Sequence, residues 1–284
     1  MIRKNKPEYL RSGSLSFNIL FYIICAIYAI LILVPLYYII ISSLKDNSTI
    51  FGSPLGLPSS FDISNYVRAL TNANLIRAMG ISFGITIGAE IITILLAFPA
   101  AYAIARIRTR MASFFETFFS IGFLIPVFAT LVPIFIIFAR FGLINNPLAL
   151  ILFYPATALP ISIIIIASFM RQLPREFEES AELDGANQLQ IIYHIFFPIS
   201  KPAVITVLVL NFIQFWNEFI FALIILGGKN RTIQIALTQL KSERLVEYGL
   251  VASGVVISVI PVYIMFIFFQ EQITKGLMAG AVKG

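Results

Sequence analysis

Apolar residues fall into six long runs, at about 17–42, 76–104, 113–140, 148–170, 202–226 and 250–270. Each run provides about the ~20 apolar residues that an α-helix needs to cross the hydrocarbon of a bilayer. The pattern predicts an all-α integral membrane protein with six transmembrane helices. The first run is longer than a signal-peptide core and has no convincing small-residue cleavage site, so it reads as a retained span. Pro99, Pro126, Pro133, Pro155 and Pro160 lie inside runs two to four. Kinked helices are expected there, their freed carbonyls met by neighbouring helices or by water. Between the first two runs, Lys45 to Leu75 carries Gly52, Pro54, Gly56 and Pro58 and reads as an outer loop against the membrane face, with a short surface helix near 65–70.

One stretch breaks the pattern. From Pro174 to Pro202 the chain holds five of its fourteen acidic residues (Glu176, Glu178, Glu179, Glu182 and Asp184) and its only histidine, His194. It cannot lie in hydrocarbon and must face water or another protein. Its local signals predict helix, turn, helix. Pro174 suits a first helical position, the acids that follow favour the positive end of the helix dipole, and Gly185 suits a helix end that needs positive φ. Leu189, Ile192, Ile195 and Phe196 then recur at spacings of three and four, an apolar stripe on a second helix that Pro198 would end. The first helix has a smaller face, Phe177 with Ser180 and Ala181, where small side chains would let a partner's surface come close.

Glu179-Ser180-Ala181, then Gly185, then Ile195-Phe196-Phe197-Pro198 resembles the EAA loop of ATP-binding-cassette importer permeases. Ser180 stands where that pattern has an Ala, and Phe197 where it has a Leu. The resemblance implies a cytoplasmic coupling loop, 174–202, seated in a groove of an ATPase subunit, with Glu179, Ser180, Ala181, Asp184, Gly185, Ile195 and Pro198 as coupling residues. Trp216-Asn217-Glu218-Phe219 resembles a run usual in the fifth span of maltose-type carbohydrate-importer permeases. The ending from Lys275-Gly276-Leu277 to Gly280-Ala281-Val282-Lys283-Gly284 resembles that of the second permease of this type. There the tail can reach the ATPase, which makes Lys275, Gly276, Gly280 and Lys283 contact candidates; a frayed end is the plainer alternative.

Taken over essentially the whole length, the resemblance implies the type-I importer permease fold: a cytoplasmic tail, first span and outer loop in 1–75, the transmembrane core in 76–270, and a cytoplasmic tail in 271–284. It implies half of a translocation pathway for an oligosaccharide-type carbohydrate, in the cytoplasmic membrane of a prokaryote. The implied partners are a second, homologous permease, two ATPase subunits that bind ATP and Mg, an extracytoplasmic solute-binding protein, and membrane lipid.

Polar residues at membrane depth are the remaining chemistry. Trp216 offers a flat apolar face and an N–H donor, and Asn217 and Glu218 the hydrogen-bonding mix that a sugar requires; the other reading is that the polar pair joins helices. Glu90, with Thr86 and Thr93 about a turn away on either side, reads as a packing contact or a protonated, hydrogen-bonded carboxylic acid. An ion-coupled carrier using Glu90 or Glu218 is the rival function, against which the coupling loop stands. Glu116, near the Arg106–Arg110 cluster, reads as half of a surface ion pair.

Composition agrees with the pattern, since 59% of residues are hydrophobic, 12% are charged and the mean hydropathy is +0.92. The net charge of +6 is dispersed at the edges of apolar runs, where it serves orientation rather than nucleic-acid binding. Twelve of the twenty Lys and Arg residues fall in the two tails, around Arg106 and around the acidic stretch, which predicts both termini in the cytoplasm. Cys25 alone can form no disulfide within the chain, and His194 alone can build no His-rich metal site. No Gly-rich phosphate cradle with a following Lys and Ser/Thr is present, so ATP hydrolysis is expected from partner subunits and no enzymatic activity from this chain.

Overall fold

The computed structural model describes residues 15–281 apart from 59–60, 62, 73, 108, 229 and 241–245, and every regular element within them is helical. In chain order these are α1 (Leu15–Ser42), α2 (Asn47–Gly52), α3 (Ser64–Asn72), α4 (Leu75–Arg106), α5 (Arg110–Gly122), α6 (Leu131–Arg140), α7 (Pro147–Met170), α8 (Glu176–Leu183), α9 (Gln188–Ile199), α10 (Lys201–Asn217), α11 (Ile220–Ile225), α12 (Ile233–Thr238) and α13 (Tyr248–Ala281).

Among the described residues, four helices (α1, α4, α7 and α13) are long and apolar enough to cross a membrane; two bent pairs bring the number to six if each counts as one span. One pair is α5 with Val127–Arg140, at 89°. The third apolar run is therefore two helices joined at a sharp bend rather than one continuous helix. α5 tightens at its end, with the Leu124 N–H on Ile121 O (2.9 Å) and the Ile125 N–H on Gly122 O (3.3 Å), and Pro126 has no N–H to continue the ladder. The fifth run is interrupted as well, because Glu218 and Phe219 are non-helical between α10 and α11.

The chain divides into two compact units. In the unit of 1–69 and 240–256, the side chains of α1 from Phe17 to Ile40 are mostly exposed, as lipid contact requires. The loop after α1 is tied down by buried polar groups. Lys45 donates to the carbonyls of Ser53 (3.0 Å) and Gly56, and Asn65 Nδ2 to those of Ser43 (3.2 Å) and Lys45 (3.1 Å); on the surface, Arg68 pairs with Glu247 at 2.5 Å.

In the unit of 70–239 and 257–284, α4 runs along α7. Ala89, Ala97 and Ala101 on one helix and Ala149, Ala158 and Ala167 on the other are buried, and a Cβ on Gly88 would come within 3.2 Å of Ile151. Small residues let the two backbones approach closely, the usual means of helix association in lipid. Two apolar clusters flank this seam. Phe138, Phe153, Tyr154, Phe215 and Phe221 centre one, and Phe98, Tyr102, Met170, Ala181, Ile191 and Phe196 the other. The second cluster places the acidic stretch against the ends of α4 and α7.

Candidate functional site

The acidic stretch folds as helix, turn, helix, with local chemistry that accounts for each boundary. Pro174 precedes α8 rather than opening it: the helix starts at Glu176, and Glu176, Glu178 and Glu179 form its acidic first turn. Gly185 has φ +81°. Its N–H reaches Glu182 O (3.0 Å) and the Ala186 N–H reaches Ala181 O (2.9 Å), the paired bonds of a Schellman end. Asn187 then caps α9 reciprocally with Gln190: the Gln190 N–H donates to Asn187 Oδ1 at 3.0 Å and the Asn187 N–H to Gln190 Oε1 at 2.8 Å.

The faces of this element differ from the spacing-based expectation. Ala181 is buried inside the chain, with Glu178 beside it on the inner face, whereas Glu179, Ser180, Asp184 and Gly185 are exposed. In α9 the residues Ile191–Phe196 are wound as a π-helix, and the buried set is Ile191, Ile192 and Phe196 rather than the stripe through Leu189. The wider turn brings residues five apart onto one face, which leaves Leu189 outside at 66% exposure. Ile195 is half-buried and Pro198 exposed. Pro198 does not end the helix; α9 continues to Ile199, the chain breaks at Ser200, and Pro202 lies in the first turn of α10, where its missing N–H costs nothing. Leu183, 90% exposed, joins Phe177 and Leu189 as apolar outward residues. The sequence reading missed Leu183, and its only signal was a large aliphatic residue between two acids.

Since Gly185 meets nothing within 4 Å at its Cβ position, its role is conformational rather than one of close approach. Gly185→Val is expected to strain the turn by about 1–2 kcal/mol, and Gly185→Asn by less. Limited proteolysis of the turn should order the variants Val, Asn, Gly from most to least cleaved; equal cleavage would show that the positive φ is dispensable.

The polar run of the fifth span separates in three directions. Trp216 is 1% exposed, lies parallel to Phe212 (5.6 Å between centroids, 9°), touches Phe83 (4.8 Å), and donates Nε1–H to Ser258 O at 2.9 Å. Its faces and its donor are thus occupied within the chain, which leaves no open face for a sugar to stack on. Glu218 is half-buried, and its carboxylate accepts from the N–H groups of Phe221 (2.8 Å) and Ala222 (2.9 Å) and from Tyr154 Oη–H (2.8 Å). It caps α11 across the helix break. Asn217 alone of the three is exposed, with Gln234 Nε2 3.3 Å from its Oδ1. Gln214, one turn earlier, is exposed too and reaches Thr157 Oγ1 at 3.4 Å.

Glu90 is buried at 5% exposure with the Asn211 side chain as its polar neighbour, and among the described residues neither of its oxygens nor the Thr86 hydroxyl makes a well-formed hydrogen bond. Thr93 turns to its own helix, donating to Ala89 O at 2.8 Å. Glu116 forms a surface ion pair with Arg171 at 2.7 Å. Arg106 points into the acidic stretch and pairs with Glu178 at 3.0 Å, a juxtaposition of residues 72 apart in sequence. Lys275, Gly276 and Gly280 lie on α13, which continues as helix to Ala281; Lys283 is outside the described residues.

The profile of the family described as "Binding-protein-dependent transport system inner membrane component" matches residues 93–278. A probable ABC transporter permease protein of Bacillus subtilis (strain 168) is 33% identical over 259 residues, 91% of this chain and 86% of the relative. A trehalose/maltose transport system permease protein of Thermococcus litoralis is 32% identical over 260 residues, 90% of this chain and 93% of that one. In fold, the chain is similar to one from the crystal structure of a bacterial ABC transporter involved in the import of the acidic polysaccharide alginate. That match has a TM-score of 0.81 at 24% identity and covers 91% of this chain and 98% of the other.

Proposed function

Because the chain belongs to the family of binding-protein-dependent transport system inner membrane components, we propose that it is one of two permease subunits of an ATP-driven importer of oligosaccharide-type carbohydrates. A homologous second permease completes the translocation pathway, two ATPase subunits bind ATP and Mg and supply the energy, and an extracytoplasmic binding protein delivers the sugar. The observation that carries the reading is the nearly full-length similarity to the trehalose/maltose permease, and membership of this family sets aside the ion-coupled carrier with Glu90 or Glu218 as its proton site. In the proposed assembly both termini and 174–202 lie in the cytoplasm, on the weight of Lys and Arg there.

Segment 174–202 is the ATPase-coupling element in this reading. Glu179, Ser180, Asp184 and Gly185 face outward with Leu183 and Leu189, while Ala181, Ile195 and Pro198 shape the element from behind or beside. The tail with Lys275, Gly276, Gly280 and Lys283 reaches the same ATPase. Deleting Gly276–Gly284 is expected to lower ATP-coupled transport while the membrane level is retained, since no apolar run is lost. Unchanged sugar-stimulated ATP hydrolysis would remove the tail from the interface.

On the pathway side stand Asn217 and Gln214, because an exposed amide at membrane depth has to meet water or protein rather than lipid. Trp216 and Glu218 hold that stretch in place from inside. Asn217→Ala and Gln214→Ala are expected to change the ranking of sugars, each bond lost costing about 0.5–1.5 kcal/mol, or roughly two- to tenfold, with assembly intact. A ranking identical to the parent's across sugars of different length would place both residues elsewhere.

The whole reading is tested by co-expression with the ATPase, permease and binding-protein genes found beside this one, reconstitution in proteoliposomes, and a panel of mono- and oligosaccharides. Uptake that needs ATP and the binding protein is the expected result. Uptake driven by an ion gradient in this chain alone would overturn it.

A further inference from the structure

Arg106 is the last residue of α4, and all of its N–H groups are engaged. Nε donates to Glu178 Oε1 at 3.1 Å and Nη2 to Glu178 Oε2 at 3.0 Å, a two-pronged pair. Nη2 also donates to Pro174 O at 3.2 Å, and Nη1 to Leu173 O (2.9 Å) and Met170 O (3.3 Å). A guanidinium has five N–H donors, and these five bonds use the full set. The guanidinium carbon lies over the Phe196 ring, 5.2 Å from its centroid. Arg106 and Glu178 side chains are only 5% and 16% exposed, so the pair is shielded from the screening that weakens surface ion pairs.

Four helices meet at this one side chain. It leaves the end of α4, covers the carbonyl end of α7, where a cation is favoured by the helix dipole, holds Glu178 of α8, and lies on Phe196 of α9. One turn earlier on α4, Tyr102 packs edge-on against Phe196 (5.0 Å, 75°) and its hydroxyl is 3.4 Å from Gln188 Oε1. These ends of the closely packed α4–α7 pair are therefore joined to α8 and α9 by the second apolar cluster and, at its edge, by polar contacts converging on Arg106.

We infer that Arg106 is a positioning residue that fastens the acidic helix pair 176–199 to the ends of α4 and α7, so that a displacement imposed on α8 is carried into those two helices. The inference rests on the coupling role proposed above for 174–202. A lysine cannot substitute: a point charge with three donors cannot span Glu178 and three carbonyls at once. Glu178 belongs to the same device, and its neighbour Glu179, pointing outward, does not.

Two measurements test it. In the purified full-length chain, hydrogen exchange should accelerate about tenfold or more at the backbone amides of 176–190 in Arg106→Ala and Glu178→Gln, with the buried α4–α7 seam unchanged. In the reconstituted complex, sugar moved per ATP hydrolysed should fall about tenfold in Arg106→Lys while the amount of assembled complex is retained. Unchanged exchange at 176–190 overturns the inference. So does a loss of transport in Arg106→Lys matched by an equal loss of assembled complex, with the sugar-to-ATP ratio kept, because that would make Arg106 merely structural. If the parent complex shows no ATP-driven sugar uptake at all, the importer reading fails, and the exchange experiment still reports whether Arg106 holds the helix pair.

Discussion

Trp216→Ala is expected to lower the thermal stability of the assembled permease by about 3–5 kcal/mol and to reduce uptake of every sugar by the same factor. The indole is enclosed by Phe212 and Phe83, so truncation leaves a cavity that three rigid helices can only partly close. It also removes the indole N–H that donates to Ser258 O on α13, a buried contact between two helices with few replacements in lipid. The measurement is the unfolding midpoint in detergent together with uptake of two sugars of different length, normalised to assembled complex. Normalisation should abolish the difference from the parent. A variant with the parent's midpoint and an altered preference between the two sugars would return Trp216 to the pathway.

That expectation departs from reading Trp216, Asn217 and Glu218 as one sugar-binding set, and the reason lies in helix geometry. Neighbours in a helix point about 100° apart, so consecutive residues do not share a face. The motif was visible as unusual residues at membrane depth, but only the packed structure sends Trp216 inward, Asn217 outward and Glu218 into a break. Hydropathy was informative for α1, α4, α7 and α13, where long apolar runs map onto long helices. It was blind to the 89° bend after α5, because Phe123, Leu124 and Ile125 at the break are as apolar as the helices around them; Gly122 and Pro126 were the signals present. The caps of the acidic element were local and legible in principle, Gly185 more so than Asn187 with Gln190. Its inner face was not, since the π-winding of α9 shifts the buried set and the partner of Glu178 lies 72 residues away. Charge alone had assigned Arg106 to membrane orientation, a role that does not call for a buried, fully bonded guanidinium.

Glu218 supplies the second large effect. Three donors converge on its carboxylate, the Phe221 and Ala222 N–H groups and the Tyr154 hydroxyl, and they hold the break between α10 and α11 against α7. Glu218→Ala leaves all three without an acceptor. At about 1–3 kcal/mol for each buried group left unsatisfied, and with water reaching part of this half-buried site, the loss is expected to be on the order of several kcal/mol. Glu218→Gln keeps one oxygen, enough for two of the three donors, and turns its own NH₂ toward the third, so it should fall between the parent and Glu218→Ala. The order parent, Gln, Ala in unfolding midpoint, with an unchanged ranking of sugars, is the expected series. Tyr154→Phe removes one donor and leaves the cap bonds to Phe221 and Ala222, so its loss should be the smallest, and combining it with Glu218→Gln should cost less than the two separate losses together, because the hydroxyl and the carboxylate share one interaction. Strict additivity in that cycle, or a Glu218→Gln variant that keeps the parent's stability while exchanging its preferred sugar, would show that the carboxylate serves the pathway instead of the break.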